Sequence, residues 1–190
     1  MHEDIESILL HETTLLARLD EVAVAITRDY VGKELTVIAI LNGSFIFVAD
    51  LLRRIPLPLQ VDCLSVASYH GTQSTGTLQF RQMNLPAVAG RHVLILDDIL
   101  DTGLTLHTIA ERFRQELAPL SVRTCVLLDK RIDAAKKIQA DYVGFPIDDQ
   151  FVVGYGLDYL EHYRNLPYVG VLKPEAIERG AVEAKNKFAN

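Results

Sequence analysis

The sequence predicts an α/β fold: a mostly parallel, doubly wound sheet with helices on both faces. Three observations carry this reading. Thr36 to Leu41, Val93 to Leu96 and Arg123 to Leu128 are largely apolar runs without alternation, as expected of strands covered on both sides. The stretches between them repeat apolar residues at helical spacing, so strand and helix alternate along the chain. Two of the runs lead into short polar turns containing glycine, Asn42-Gly43-Ser44 and Asp101-Thr102-Gly103, from which the next helix starts.

Taken in order, Leu15, Leu16, Leu19, Val22, Ala23, Ile26 and Tyr30 place a helix over about residues 13 to 30, stopped by Gly32. After the first strand, Phe45, Val48, Leu51, Leu52 and Ile55 mark a second helix that Pro56 and Pro58 close. Val61 to Ser68 is β-prone, and Tyr69 to Phe80 is rich in Gly, Ser and Thr with no periodicity, a loop suited to a lid. The strand Val93 to Leu96 then ends at Asp97 and Asp98, and Leu106, Ile109, Ala110, Phe113 and Leu117 give the following helix its apolar face. Arg123 to Leu128 leads to Asp129-Lys130-Arg131. Asp141 to Phe145 and Phe151 to Tyr155 read as short strands around a turn at Pro146 to Asp149, and Tyr168 to Leu172 as another. Pro174 to Asn190 reads as a partly helical end. With no repeat or linker, the 190 residues are expected to form a single domain over 1–190.

Composition narrows the function. A net charge of −6 argues against a general nucleic-acid binder, and no apolar run is long enough for a membrane span. The acidic start MHEDIESILL is unlike a signal peptide, so the expectation is a cytoplasmic protein. Cys63 and Cys125 lie in apolar runs and form no CxxC pair, which reads as free, buried thiols.

The chemistry centres on Val93 to Leu106, VLILDDILDTGLTL. A glycine and small hydroxyl residues at a helix amino terminus form a phosphate cradle, because the first backbone N–H groups lack intrahelical partners and the dipole is positive there. The adjacent acids suit a polyol, a metal, or both. Lys130, at the carboxyl end of a strand, stands where ligands of open α/β sheets gather.

The strand, the two acids and the D-[ST]-G-x-T turn resemble the phosphoribosyl-pyrophosphate (PRPP) signature of the type I phosphoribosyltransferases. From about Leu35 to Leu166 the chain is similar to the hypoxanthine-guanine branch, bacterial in style. LNGSFIF resembles that family's first loop and SYHGTQSTG its mobile second loop; LLDKR and FVVGYGLDY resemble its purine-recognition segments, with HYR beyond. The resemblance implies the family's fold, with a small hood from the terminal segments and a lid containing Ser68 and Tyr69. It implies magnesium-dependent transfer of 5-phosphoribosyl from PRPP to N9 of hypoxanthine or guanine, and a homodimer or homotetramer.

By the same resemblance, Asp101 acts as general acid/base at N7, and Thr102, Gly103, Leu104 and Thr105 cradle the 5-phosphate. Asp97 and Asp98 meet the ribose hydroxyls and a magnesium, Asp158 holds a second magnesium, and Asn42, Gly43 and Arg164 bind pyrophosphate. Lys130, Phe151, Val152 and Asp158 meet the purine. Asn42 departs from the lysine that many relatives carry. A transferase preferring xanthine and guanine, and a regulator built on the same fold, are the alternatives that the sequence leaves.

Overall fold

The structure is a computed structural model that describes residues 2–67, 79–80, 86–132 and 134–188. Its centre is a parallel sheet of β2 (Leu35–Leu41), β3 (Leu59–Ala67), β5 (His92–Leu100), β6 (Ser121–Arg131) and β7 (Tyr142–Asp148), with the short antiparallel β4 (Gln79–Phe80) on one edge. The spatial order is β4-β3-β2-β5-β6-β7. Strand residues alternate between two cores. Val37, Ala39, Leu94, Leu96, Cys125 and Leu127 face α1 (Glu12–Tyr30) and α2 (Phe45–Leu52). Ile38, Ile40, Val93, Ile95 and Val126 face α3 (Leu104–Glu116), which contributes Leu106, Ile109, Ala110 and Phe113. A sheet covered on both faces needs apolar residues of either parity, and this is why the runs showed no alternation.

This strand order creates the place where a site can form. From β2 the chain crosses outward to β3, and from β5 it crosses the other way to β6 and β7. The loops after β2 and β5 therefore diverge and leave a crevice at their carboxyl ends. β2 pairs with β5 only as far as Ala39 with Leu96, whereas β5 stays paired with β6 through Leu100 and Asp129. Beyond Leu96, β5 is open on its β2 side. Asp97 and Asp98 therefore lie inside the strand and not after its end, because continued pairing with β6 extends it.

Three other expectations are corrected. The turn at Pro146 to Asp149 begins later, since β7 runs through Asp148; Pro146 is tolerated because β7 is an edge strand. Arg18 of α1 also serves that strand, donating to the carbonyls of Gly144 at 2.8 Å and Val143 at 3.0 Å. The strand expected at Phe151 to Tyr155 shrinks to β8 (Val152–Val153), because Gly154 and Gly156 adopt φ of +95° and +103° and curl the chain back. α2 ends at Leu52, three residues before Ile55, the last residue of the periodic pattern, through a tighter turn in which Ile55 N–H donates to Leu52 O.

The hood is a separate antiparallel sheet, β1-β9-β8, built from β1 (Ile5–Leu10), β8 and β9 (Val169–Leu172). β1 had no counterpart in the sequence reading. Ile5, Val153, Leu172 and Ala176 form its core, and the carboxyl-terminal helix α4 (Pro174–Phe188) packs on it. Cys63 and Cys125 are free thiols, the first half-buried and the second buried. Among the described residues no helix is long and apolar enough to cross a membrane.

Gly144 offers a direct test of how tightly β6 and β7 are joined. A Cβ at this position would lie 2.4 Å from the Leu127 carbonyl oxygen, a main-chain atom that cannot rotate away. Gly144→Ala is expected to lower stability by about 2 kcal/mol, within the range of backbone-directed core substitutions; urea unfolding with an unchanged midpoint would contradict it.

Candidate active site

The crevice between β2 and β5 is a cleft of about 350 Å³ lined by Ile40, Leu41, Gly43 and the run from Asp97 to Leu106. Gly43 follows the cis peptide bond Leu41–Asn42 and lies directly against Asp98. A Cβ on Gly43 would fall 1.8 Å from Asp98 Oδ2, so any other residue there displaces the Asp98 carboxylate. Ser44, fully buried, fixes this turn by donating its hydroxyl to the Ile40 carbonyl and not by capping α2.

Asp97 is buried and Asp98 half-buried, each held by the main chain. Asp98 N–H donates to Asp97 Oδ1 and Ile99 N–H to Asp98 Oδ1, both at 3.0 Å. Burial raises the proton affinity of both carboxyls, and the charge of Asp98 raises that of Asp97 further. Around Asp98 the hydrogen bonds and the Arg164 guanidinium oppose the rise. Two hard oxygen donors opening on a cleft fit a magnesium that keeps waters and takes further ligands from a substrate. Among the described residues no three acidic, His or Cys side chains converge, so Asp158 does not join this pair.

The phosphate cradle takes its shape from Gly103. Its φ of +78° swings the chain into α3, whose first N–H groups face the turn, and Leu104 N–H lies 3.5 Å from Thr102 Oγ1. The loop after β6 braces this turn: Lys137 N–H donates to the Thr102 carbonyl at 3.0 Å, and Ile138 fills the space where a Cβ of Gly103 would point. Nothing in the sequence pattern signalled that brace. Asp101, Thr102 and Leu104 are exposed at the lip, and Thr105 is half-buried.

The residues expected around a base lie outside this cleft, on the β6–β7 side and in the hood. Lys130 is the penultimate residue of β6, with its side chain largely covered and its ammonium 3.0 Å from Asp149 Oδ1. Asp149, missed in the sequence reading, was signalled only by lying two residues before Phe151. Phe151 is 42% exposed and meets Tyr159 edge-on. The Val152 side chain is buried in the core, so only its main chain can face a ligand. Asp158 pairs with Arg164 at 2.9 Å, and Arg164 also donates to the Gly156 carbonyl at 2.9 Å. Gly156 in turn touches the first loop: a Cβ there would lie 2.1 Å from the Gly43 carbonyl oxygen. Asn42 is exposed beside it. Ser68, Tyr69 and the expected lid as far as Leu78 lie outside the described residues, while Gln79 and Phe80, expected as loop, form β4 because they pair with Ala67 and Val66.

Comparison with known proteins agrees with this geometry. A family model described as the phosphoribosyl transferase domain matches residues 7–160. The chain is 45% identical over 176 residues to a hypoxanthine-guanine phosphoribosyltransferase of Staphylococcus aureus, covering 92% of this chain and 98% of the other. It is 42% identical to that of Streptococcus pneumoniae, covering 92% and 97%. A solved hypoxanthine phosphoribosyltransferase of S. aureus superposes with a TM-score of 0.86 at 45% identity, covering 93% and 96% of the two chains. The Trypanosoma cruzi enzyme in complex with the product IMP superposes at 0.83 and 37% identity, covering 92% and 98%. With a sugar-phosphate cleft at the sheet's switch point and these relatives along nearly its whole length, the chain belongs to the phosphoribosyltransferase family, among the hypoxanthine-guanine phosphoribosyltransferases.

Proposed function

We propose that this chain salvages purines by transferring the 5-phosphoribosyl group of PRPP to N9 of hypoxanthine or guanine, releasing pyrophosphate. The observation that carries the reading is the convergence, in one cleft, of Gly43, the acid pair and the turn Asp101 to Thr105. Main-chain N–H groups at the start of α3 hold the 5-phosphate, which explains why an apolar Leu104 is acceptable there. Asp97 and Asp98 bind the ribose hydroxyls. Asp97 and Asp98 would hold one magnesium and Asp158 a second, and the ions would supply neutralisation of the leaving pyrophosphate. Main-chain groups of Asn42 and Gly43 receive the pyrophosphate, and Arg164, already oriented by Asp158 and the Gly156 carbonyl, adds a fixed positive charge.

Asp101, exposed at the lip of the cleft, manages the proton at N7 as the bond to N9 forms. Phe151 stacks on the purine. Lys130 leaves Asp149 for the 6-oxo group, and the Val152 main chain meets position 2. A buried ammonium facing a 6-amino group would lose its acceptor, which disfavours adenine.

Steady-state assays with PRPP, magnesium and each purine test the assignment. Hypoxanthine and guanine should turn over and adenine should not; no turnover with either 6-oxopurine would refute it. Asp101→Asn should lower kcat by about 10²- to 10⁴-fold, the usual contribution of general acid/base catalysis, with PRPP binding retained. Lys130→Ala should raise the KM for hypoxanthine steeply and leave that for PRPP nearly unchanged; equal damage to both would remove Lys130 from the base pocket.

The acid pair gives a further test through stability. Burial raises the native pKa of Asp97 above its unfolded value, so the native state binds more protons between the two, and stability falls as pH rises through that window. The penalty of the buried carboxylate grows as the pH rises above the unfolded pKa. The ligand-free Asp97→Asn variant is therefore expected to melt above the wild type at pH 8, the gap closing as the pH falls toward 4, while turnover is lost. A variant melting below the wild type at pH 8 would contradict the burial argument.

A further inference from the structure

Phe151, the proposed stacking surface, is a large exposed aromatic whose ring meets Tyr159 edge-on, with centroids 5.3 Å apart and planes at 85°. The position of Phe151 therefore depends on what holds Tyr159. On one side Tyr159 borders a hood cavity of about 380 Å³, so packing there does not fix the ring. Two contacts with α4 do. Tyr159 Oη donates to the Ile177 carbonyl at 2.7 Å. Gly180, one turn further along, presents no side chain, and a Cβ there would come 2.4 Å from Tyr159 Cε1. The helix lies directly against the ring.

α4 is itself fixed to the far end of the chain. Lys173 N–H donates to the Asp4 carbonyl at 2.9 Å, its ammonium reaches the Glu3 carbonyl at 2.6 Å, and Arg179 pairs with Asp4 at 2.7 Å. Ala176 is buried against Ile5 and Leu172. The surface that meets the base is thus braced in series: β1 and β9 hold α4, α4 holds Tyr159, and Tyr159 holds Phe151.

We infer that Tyr159 is a positioning residue for the purine site, set by the Ile177 carbonyl and by the absence of a side chain at Gly180. The inference rests on the reading of Phe151 as the stacking residue and adds the helix that sets it. Asp158, its neighbour in sequence, turns toward Arg164. The contacts of Tyr159 lead to Phe151 and α4 and the ion pair of Asp158 to Arg164, which predicts that changes at Tyr159 split the binding constants of the two substrates.

The test is steady-state kinetics of the full chain carrying Tyr159→Phe, Gly180→Ala or Phe151→Ala, with KM measured separately for hypoxanthine and PRPP. Tyr159→Phe removes only the hydroxyl and Gly180→Ala displaces the ring. Each should raise the KM for hypoxanthine about three- to tenfold, the weight of one aromatic contact, and leave that for PRPP within about twofold. In a Phe151→Ala background, Tyr159→Phe should add nothing. If Phe151→Ala alone leaves the hypoxanthine KM unchanged, the stacking assignment fails. If Phe151→Ala raises it and Tyr159→Phe does not, the positioning role is overturned while stacking stands. Equal rises in both KM values, or full additivity in the double variant, would likewise reduce Tyr159 to a structural residue. Should Gly180→Ala fail to fold, the Tyr159→Phe single and double variants decide the question.

Discussion

Everything at the sugar-phosphate end of this protein depends on close contact between two glycines and one carboxylate. Asp98 occupies the space that a side chain at Gly43 would need, and the Gly43 carbonyl occupies the space that one at Gly156 would need. Three segments far apart in sequence, the loop after β2, the strand β5 and the turn after β8, are thereby stacked at main-chain distance. Any Cβ inserted between them separates the pyrophosphate loop from the acids or from Arg164, whose guanidinium is oriented by the Gly156 carbonyl. The cleft is consequently built from backbone and short side chains, which is economical for phosphate recognition because N–H groups fixed by a fold need no reorganisation when the anion arrives.

The same place shows a conflict between stability and chemistry. Asp97 is buried beside another carboxylate and accepts a main-chain hydrogen bond from Asp98 N–H. Such a pair is unfavourable in an empty protein, and the penalty is of the kind that active sites carry and the rest of the fold offsets. The offset is visible in the sheet, where Leu94, Ile95 and Leu96, the three residues immediately before the pair, are wholly inaccessible to solvent.

The sequence made the central sheet and the cradle legible because both are written in local patterns. Unbroken apolar runs, helical spacing and a glycine between hydroxyl residues need no partner to be recognised. What escaped was set by partners distant in the chain. β5 and β6 run past their apolar segments because they pair with each other, and β1 exists only because β9 is there to accept it. The Phe151 segment looked like a strand from its apolar residues, but the positive φ at Gly154 and Gly156 overrides that preference. At Gly154 and Gly156 the fold brings up main-chain carbonyls, those of Tyr168 and Gly43. Asp149, Lys137 and Ile138, which steady the recognition residues, have no signature of type or spacing.

The closure of the hood by both ends of the chain bears on the order in which the molecule assembles. Lys173 and Glu3 are bonded across a separation of 170 residues, whereas β2 pairs with β5 across 57 residues (Leu35 with His92) and β5 with β6 across 29 (His92 with Ser121). Long-range contacts form late, because the chain between them must be ordered before they repay its lost entropy. During synthesis, the strands and turns of the sugar-phosphate cleft are complete before β9 and α4 exist. The cleft at the ends of β2 and β5 therefore consolidates first, and the hood that sets Tyr159 against α4 is completed only when β1 and β9 pair.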